Sequence, residues 1–180
     1  GAIPFHRNFE EGNLRFYVKF LFDGVSIRNR SVLEIGGGKG TLSFFAGCSG
    51  AKRVLCLEPE AAGSSAGMQK AFHRVAVRLG LDEVRLEPAT LQQFDPRGET
   101  FDLVLLHNSI NHLDEEACVA LRRSESARAR YRDLFAKIAA LTRSGGVFLA
   151  TDCSPYNLFG TLGLRNPLMP TIEWHKHQSP

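Results

Sequence analysis

Five short apolar runs divide the chain, and between them apolar residues return at helical rather than alternating spacing. The runs are SVLEI (31–35), RVLCLEP (53–59), EVRLEP (83–88), FDLVLLH (101–107) and GGVFLATD (145–152). Each is four to eight residues of β-leaning composition bounded by Gly, Pro or Asp, which predicts strands; 83–88 is the weakest. Helical spacing places Leu14, Tyr17, Val18, Leu21 and Phe22 on one face of a lead-in helix over 13–23. A short helix is predicted over 41–50, ending at glycine, and another over 66–79, closed by Gly80 as C-cap. A long helical region runs over 114–143, best marked by Tyr131, Leu134, Phe135, Ile138 and Leu141.

Strands that alternate with helices, and that are apolar along their whole length, are buried on both faces by crossovers. The fold class is therefore α/β: a doubly wound, mainly parallel sheet with helices on both faces. The chain divides into a helical lead-in (1–30), an α/β core (31–153) and a C-terminal loop with a short helix (154–180). Ligands of such sheets bind beyond the carboxyl ends of the strands, where strand order reverses. Four of the five residues 36–40 are glycine, and they follow the first strand at that end.

Three loop types use glycines in this place. A phosphate-cradling loop G-x-x-x-x-G-K-[ST] fails twice, because Gly40 stands where the hydroxyl is needed and Leu33 where the first glycine is needed. The dinucleotide fingerprint G-x-G-x-x-G meets Thr41 in one register and Ser43 in the other, which argues against a nicotinamide-dependent oxidoreductase. The spacing that fits is acid-x-Gly-x-Gly-x-Gly, with Glu34, Gly36, Gly38 and Gly40, and Gly37 inside the same turn. In this motif the chain resembles the class I S-adenosylmethionine (SAM)-dependent methyltransferases, over about residues 30–153.

The resemblance implies a Rossmann-like methyltransferase fold in which the turn holds the methionine end of SAM. It assigns Glu58, about 18 residues past Gly40, to the ribose hydroxyls, with Pro59 beside the adenine. Many members place an acid after the third strand to receive the adenine amino group. Here the stretch reads Glu87-Pro88-Ala89-Thr90-Leu91, so Ala89, Thr90 and Leu91 are expected to meet adenine through backbone and apolar contact, with Glu87 as a substitute acid. Residues after the fourth strand line the space between methyl and acceptor, which brings His107 and Asn108 to the cofactor. His107 and His112 are the candidate bases, with a slight preference for His112; Asn108 and Asn111 offer amides to orient a polar acceptor. The competing reading is a structural histidine and asparagines that cap the next helix.

The implied activity is methyl transfer to an O or N atom of a small molecule. The alternative is a methyltransferase-like binding or scaffold domain, catalytically incomplete. No N-P-P-[YF] run follows the fourth strand, which weighs against a nucleobase or glutamine acceptor.

Composition narrows the partners. A net charge of +3 is too mild to argue for nucleic acid or an anionic membrane, and no run approaches the roughly 20 apolar residues of a membrane span. The arginine-rich stretch 122–132 reads as a solvated helix face. Four cysteines stand far apart without a C-x-x-C pair, and Gly1 is followed by no apolar signal core. Both features read as a reducing, cytoplasmic setting. No metal is expected: Glu173, His175 and His177 alternate near the end of the chain, but no further ligand is evident to complete a set.

The family fold usually carries seven strands, the last two as an antiparallel hairpin beside the fifth. After Asp152 no two further strands are legible, and prolines stand at 155, 167, 170 and 180. The fifth strand is then an apolar edge, expected to be covered by the C-terminal segment or by a second copy in a homo-oligomer.

Overall fold

The computed structural model describes residues 11–60, 66–153, 158–162, 164 and 176. It contains one sheet of five strands, β1 (Ser31–Ile35), β2 (Arg53–Leu57), β3 (Val84–Glu87), β4 (Phe101–His107) and β5 (Thr142–Thr151). Their order across the sheet is β3-β2-β1-β4-β5, and every neighbouring pair is parallel. The helices are α1 (Glu11–Leu21), α2 (Thr41–Cys48), α3 (Met68–Leu79), α4 (Glu115–Ala120), α5 (Glu125–Leu141) and α6 (Leu158–Thr161). The chain winds from β1 outward to β3, then returns to lay β4 on the other side of β1. Strand order thus reverses between β1 and β4, and in open sheets of this kind ligands bind at the carboxyl ends beside that point.

The period of two along each strand sorts side chains to two faces. Val32, Val54, Cys56, Leu103 and Leu105 join Val18, Leu21 and Phe22 of the α1 region, Leu42 and Phe44 of α2 and Phe72 of α3 in one core. Leu33, Ile35, Leu57, Val104 and Leu106 join Leu134, Ile138 and Leu141 of α5 in the other. The same periodicity carries three polar residues onto the first face: Glu34 from β1, Glu58 just past β2, and His107 at the end of β4.

The expected elements differ from the observed ones in three places. The helical region 114–143 is broken into α4 and α5, because Asp114 accepts a hydrogen bond from Ala117 N (3.0 Å) and Ser124 one from Ala127 N (3.2 Å). Two N-caps in one apparent helix make two helices. The fifth strand starts at Thr142, earlier than its apolar run, and its pairing with β4 is irregular between Phe101 and Leu103. Gly145 (φ 75°) takes up that irregularity, and a side chain on Gly146 would come within 3.0 Å of Asp102 O. The lead-in helix is less one-sided than its inner face indicates, since Phe16 and Phe20 are 74% and 71% exposed on the outside.

At the amino ends of the strands, Asp102 ties three of them together. It is buried and accepts hydrogen bonds from Ser31 N (2.8 Å), Ser31 Oγ (2.8 Å) and Arg143 (2.6 Å). The bond from the Ser31 amide, with Arg143 and the Ser31 hydroxyl, holds its carboxyl well below the usual carboxylate range. The strong frame lies at this end and leaves the carboxyl ends for the site.

β5 is an edge of the sheet, with Val147 41% exposed. Most of the segment expected to cover it lies outside the described residues, as do Glu173, His175 and His177. Lys176 is described, and its carbonyl accepts from Cys118 Sγ (3.2 Å) beside α4. The four cysteines are free thiols. Among the described residues no helix is long and apolar enough to cross a membrane, and no group of three or more His, Cys, Asp or Glu is placed to hold a metal.

Candidate functional site

The turn after β1 is built from both sides of the sheet. Gly36 N and Gly37 N donate to Leu57 O (2.9 and 3.2 Å), which prolongs the β1–β2 pairing past the strand ends. Below the turn, a side chain at Gly37 would come within 2.9 Å of the Glu34 carboxyl carbon and would overlap Cys56 Sγ. A side chain at Gly40 would overlap the ring of Phe72, which packs on Phe44 with ring centroids 4.6 Å apart. These two glycines are demanded by the protein's own packing.

Gly38 differs. A Cβ there would meet nothing within 4 Å, so only its φ of 57° requires glycine. Among the glycines of this turn, Gly38 is the one with open space beside its backbone, where a ligand can approach.

Glu58 stands across from it. Its carboxylate is buried, and Oε2 accepts from Gly38 N at 2.7 Å while Oε1 accepts from Glu60 N at 3.3 Å. The end of β2 and the glycine turn are thus joined through an acid that faces the turn. Beside it Pro59 is exposed.

Glu34 is placed differently from Glu58. It is 3% exposed and lies beneath the turn, where its Oε2 accepts from Ser43 N (2.8 Å) and from Ser43 Oγ. Burial pushes its carboxyl up to about 7, against the lowering effect of the two Ser43 hydrogen bonds; the charge of Glu58 adds to the rise. Burial likewise raises the Cys56 thiol well above its ordinary value. Ser43 was not foreseen from the sequence. Its signal was a hydroxyl in the first turn of a helix behind an acid-bearing strand, a common place for a carboxylate to meet helix amides.

After β3, Ala89 N donates to Glu87 O (2.8 Å). Thr90 and Gln93 then bond reciprocally: Thr90 N donates to Gln93 Oε1 (3.1 Å) and Gln93 N to Thr90 Oγ1 (3.2 Å). This is a capping box on a single turn. Leu91 is 2% exposed and packs with Leu33, Ile35 and Leu57 in the core, while Ala89 and Thr90 are half-buried and Glu87 is exposed.

The two histidines after β4 part company. His107 is half-buried, and its Nε2 is hydrogen-bonded to the Tyr17 hydroxyl of α1 and lies 3.3 Å from Asn108 Nδ2. His112 is 52% exposed on a single 3-10 turn, with Nδ1 2.8 Å from Glu115 Oε1. Between them Asn108 has a φ of 50°, uncommon for a residue other than glycine. It is held there by Asn108 N donating to Thr151 O (2.8 Å) and Ser109 Oγ donating to Ile35 O (3.0 Å). Asn111 is buried, and its Oδ1 finds no hydrogen-bond partner. Tyr17, Ser109 and Thr151 are also new to the site. Tyr17 was legible only as one position on an amphipathic face, although a buried tyrosine usually needs a partner for its hydroxyl.

The arginine-rich stretch pairs with acids around α4 and α5. Arg128 and Arg132 meet Glu125 (2.9 and 2.8 Å), and Arg130 meets Glu116 (3.5 Å).

No family model matches the sequence, and no curated protein matches it. Solved structures do. The fold is similar to that of coclaurine N-methyltransferase bound to N-methylheliamine and SAH (TM-score 0.60, 18% identity, covering 81% of this chain and 36% of that one). It is also similar to an S-adenosylmethionine-dependent methyltransferase from Mesorhizobium loti (TM-score 0.53, 20% identity, 72% and 50%). A third likeness is to a ribosomal protein L11 methylase from Lactobacillus delbrueckii subsp. bulgaricus (TM-score 0.51, 18% identity, 77% and 59%). The chain therefore spans less than two thirds of the length of each. At these identities the likeness concerns architecture: the chain has the class I SAM-dependent methyltransferase fold.

Proposed function

We propose that this fold serves a SAM-dependent methyltransferase that acts on an O or N atom of a small molecule. The observation that carries the reading is the Glu58 carboxylate set 2.7 Å from the Gly38 amide, at the carboxyl ends of β1 and β2 beside the point where strand order reverses. A carboxylate there can accept from a pair of vicinal hydroxyls, and open space at Gly38 admits the rest of a nucleoside-bearing amino acid.

In this reading Glu58 grips the ribose and the turn Gly36 to Gly40 receives the methionine end. Glu34 acts from beneath by holding α2 to β1 through Ser43. Pro59, Ala89 and Thr90 border the adenine, with Leu91 fixing their loop from the core. SAM supplies an electrophilic methyl group on a sulfonium. The chain's own part is to position an acceptor in line and to take its proton, and most of the acceleration comes from positioning. His107 and Asn108, at the carboxyl end of β4, are better placed to orient the acceptor than His112, whose ring is in solvent beside Glu115.

Calorimetric titration with SAM and with S-adenosylhomocysteine (SAH) tests the reading, and one-to-one binding of both is expected. No binding of either would sink it. Binding without turnover across a panel of small amines and hydroxylated acceptors would favour the scaffold alternative.

A further inference from the structure

The lead-in helix reaches the candidate site through Tyr17. Tyr17, on the inner face of α1, places its hydroxyl on His107 Nε2, and the two rings meet edge to face with centroids 5.5 Å apart and planes at 67°. The amide nitrogen of Asn108 lies 3.3 Å from the same ring nitrogen. As the Asn108 amide is oriented, its NH₂ faces the ring and can only donate, which assigns Nε2 as the accepting nitrogen of the imidazole. The phenol, facing an acceptor, must then donate as well. Two donors on one nitrogen select the neutral ring with its proton on Nδ1.

The surroundings support this assignment. Burial raises the Tyr17 phenol above its ordinary value, so the hydroxyl keeps the proton it donates. The origin of the Asn108 side chain is fixed, because its backbone is held at a φ of 50° by its bond to Thr151 O. His107 pairs in register with Thr151 across β4 and β5, which sets the ring's origin at the carboxyl edge of the sheet.

We propose that Tyr17 is a positioning residue for His107. It fixes the imidazole in the tautomer whose Nε2 carries the lone pair, and so makes α1 a wall of the acceptor side of the site. The tautomer assignment follows from the phenol and the amide set on Nε2. Its meaning for catalysis rests on the methyltransferase reading above.

Long-range proton–nitrogen correlation spectra of the ¹⁵N-labelled chain test it, recorded about 1.5 pH units above the ordinary histidine value. The His107 signals are assigned by their loss in His107→Gln. In the wild type the Nδ1-protonated tautomer is expected. In Tyr17→Phe only the longer Asn108 contact (3.3 Å) still donates to Nε2, so the two ring nitrogens should move part of the way toward their average as tautomers mix. Leu14→Ala, on the same helix and packed on the same core, should leave the pattern unchanged. An unchanged spectrum in Tyr17→Phe, an Nε2–H tautomer in the wild type, or an equal change in Leu14→Ala would each overturn the positioning role. SAH titration of the same samples separates the two levels. Affinities within about twofold for wild type and Tyr17→Phe are expected, because Tyr17 acts on the acceptor side. A wild type that binds no SAH removes the catalytic meaning and the reading beneath it, whatever the spectrum shows.

Discussion

The carboxylate of Glu58 accepts a hydrogen bond from the amide of Gly38, 2.7 Å away and twenty residues earlier in the chain. The acid closes the end of β2 onto the turn that follows β1. A ligand that reached one of these groups would therefore meet the other.

Glu58→Ala should weaken SAH binding by at least tenfold. A charge-assisted hydrogen bond contributes roughly 1.5–3 kcal/mol, and about 1.4 kcal/mol is already a factor of ten. Glu58→Gln should fall between, since it keeps one acceptor and loses the charge. Calorimetry measures both, with circular dichroism to check that the fold is retained.

Gly38→Ala and Gly40→Ala should separate binding from stability. At Gly40 a methyl group overlaps Phe72, 1% exposed, and φ is 77°. Overpacking and a left-handed alanine together cost roughly 2–4 kcal/mol, which urea unfolding will show. At Gly38 only the backbone term applies, roughly 1–2 kcal/mol, while the methyl group stands in the proposed ligand path. The expected order is therefore reversed for SAH affinity, with Gly38→Ala losing more than its stability change explains.

Glu34 gives the pH dependence of stability a definite sign. Its folded-state carboxyl is raised from 4.5 to about 7, so between those values the folded protein holds a proton that the unfolded chain has released. Stability must then fall as pH rises across this window and level off above it. The size is of order 3 kcal/mol at about 1.4 kcal/mol per unit. Glu34→Gln keeps an acceptor for Ser43 and removes the titration. Its unfolding free energy, compared with wild type at pH 5 and pH 7.5, should lack this slope.

Asp102 acts in the opposite direction and at the opposite end of the sheet. Its carboxyl is lowered, so its contribution is present above the ordinary carboxylate value and is lost as pH falls through that range and below it. Asp102→Asn should cost about 2–3 kcal/mol at pH 7, with Arg143 left without its buried partner. SAH affinity should hardly change, because the residue lies at the amino ends of the strands. Chemical unfolding at pH 7 and pH 3, together with one titration, decides both points.

Local pattern alone determined the strands and the glycine turn. Ser31–Ile35 and Phe101–His107 were legible residue for residue, because a parallel strand buried on both faces must be apolar throughout and glycine or a polar turn ends it. Gly36, Gly38, Gly40 and Glu58 were legible because tight turns leave few residue choices. What the glycines are for was not legible: Gly36, Gly37 and Gly40 make room for Ser109, Cys56, Glu34 and Phe72, and among the turn's glycines only Gly38 has open space beside it. Tertiary structure alone decided that His107 meets Tyr17 while His112 faces solvent, that Glu34 bonds Ser43, and that Ser109 reaches Ile35 O. These contacts join residues on different elements. Their partners are chosen by strand order and by which face each side chain takes, and a one-dimensional pattern encodes the face but not the neighbour across it.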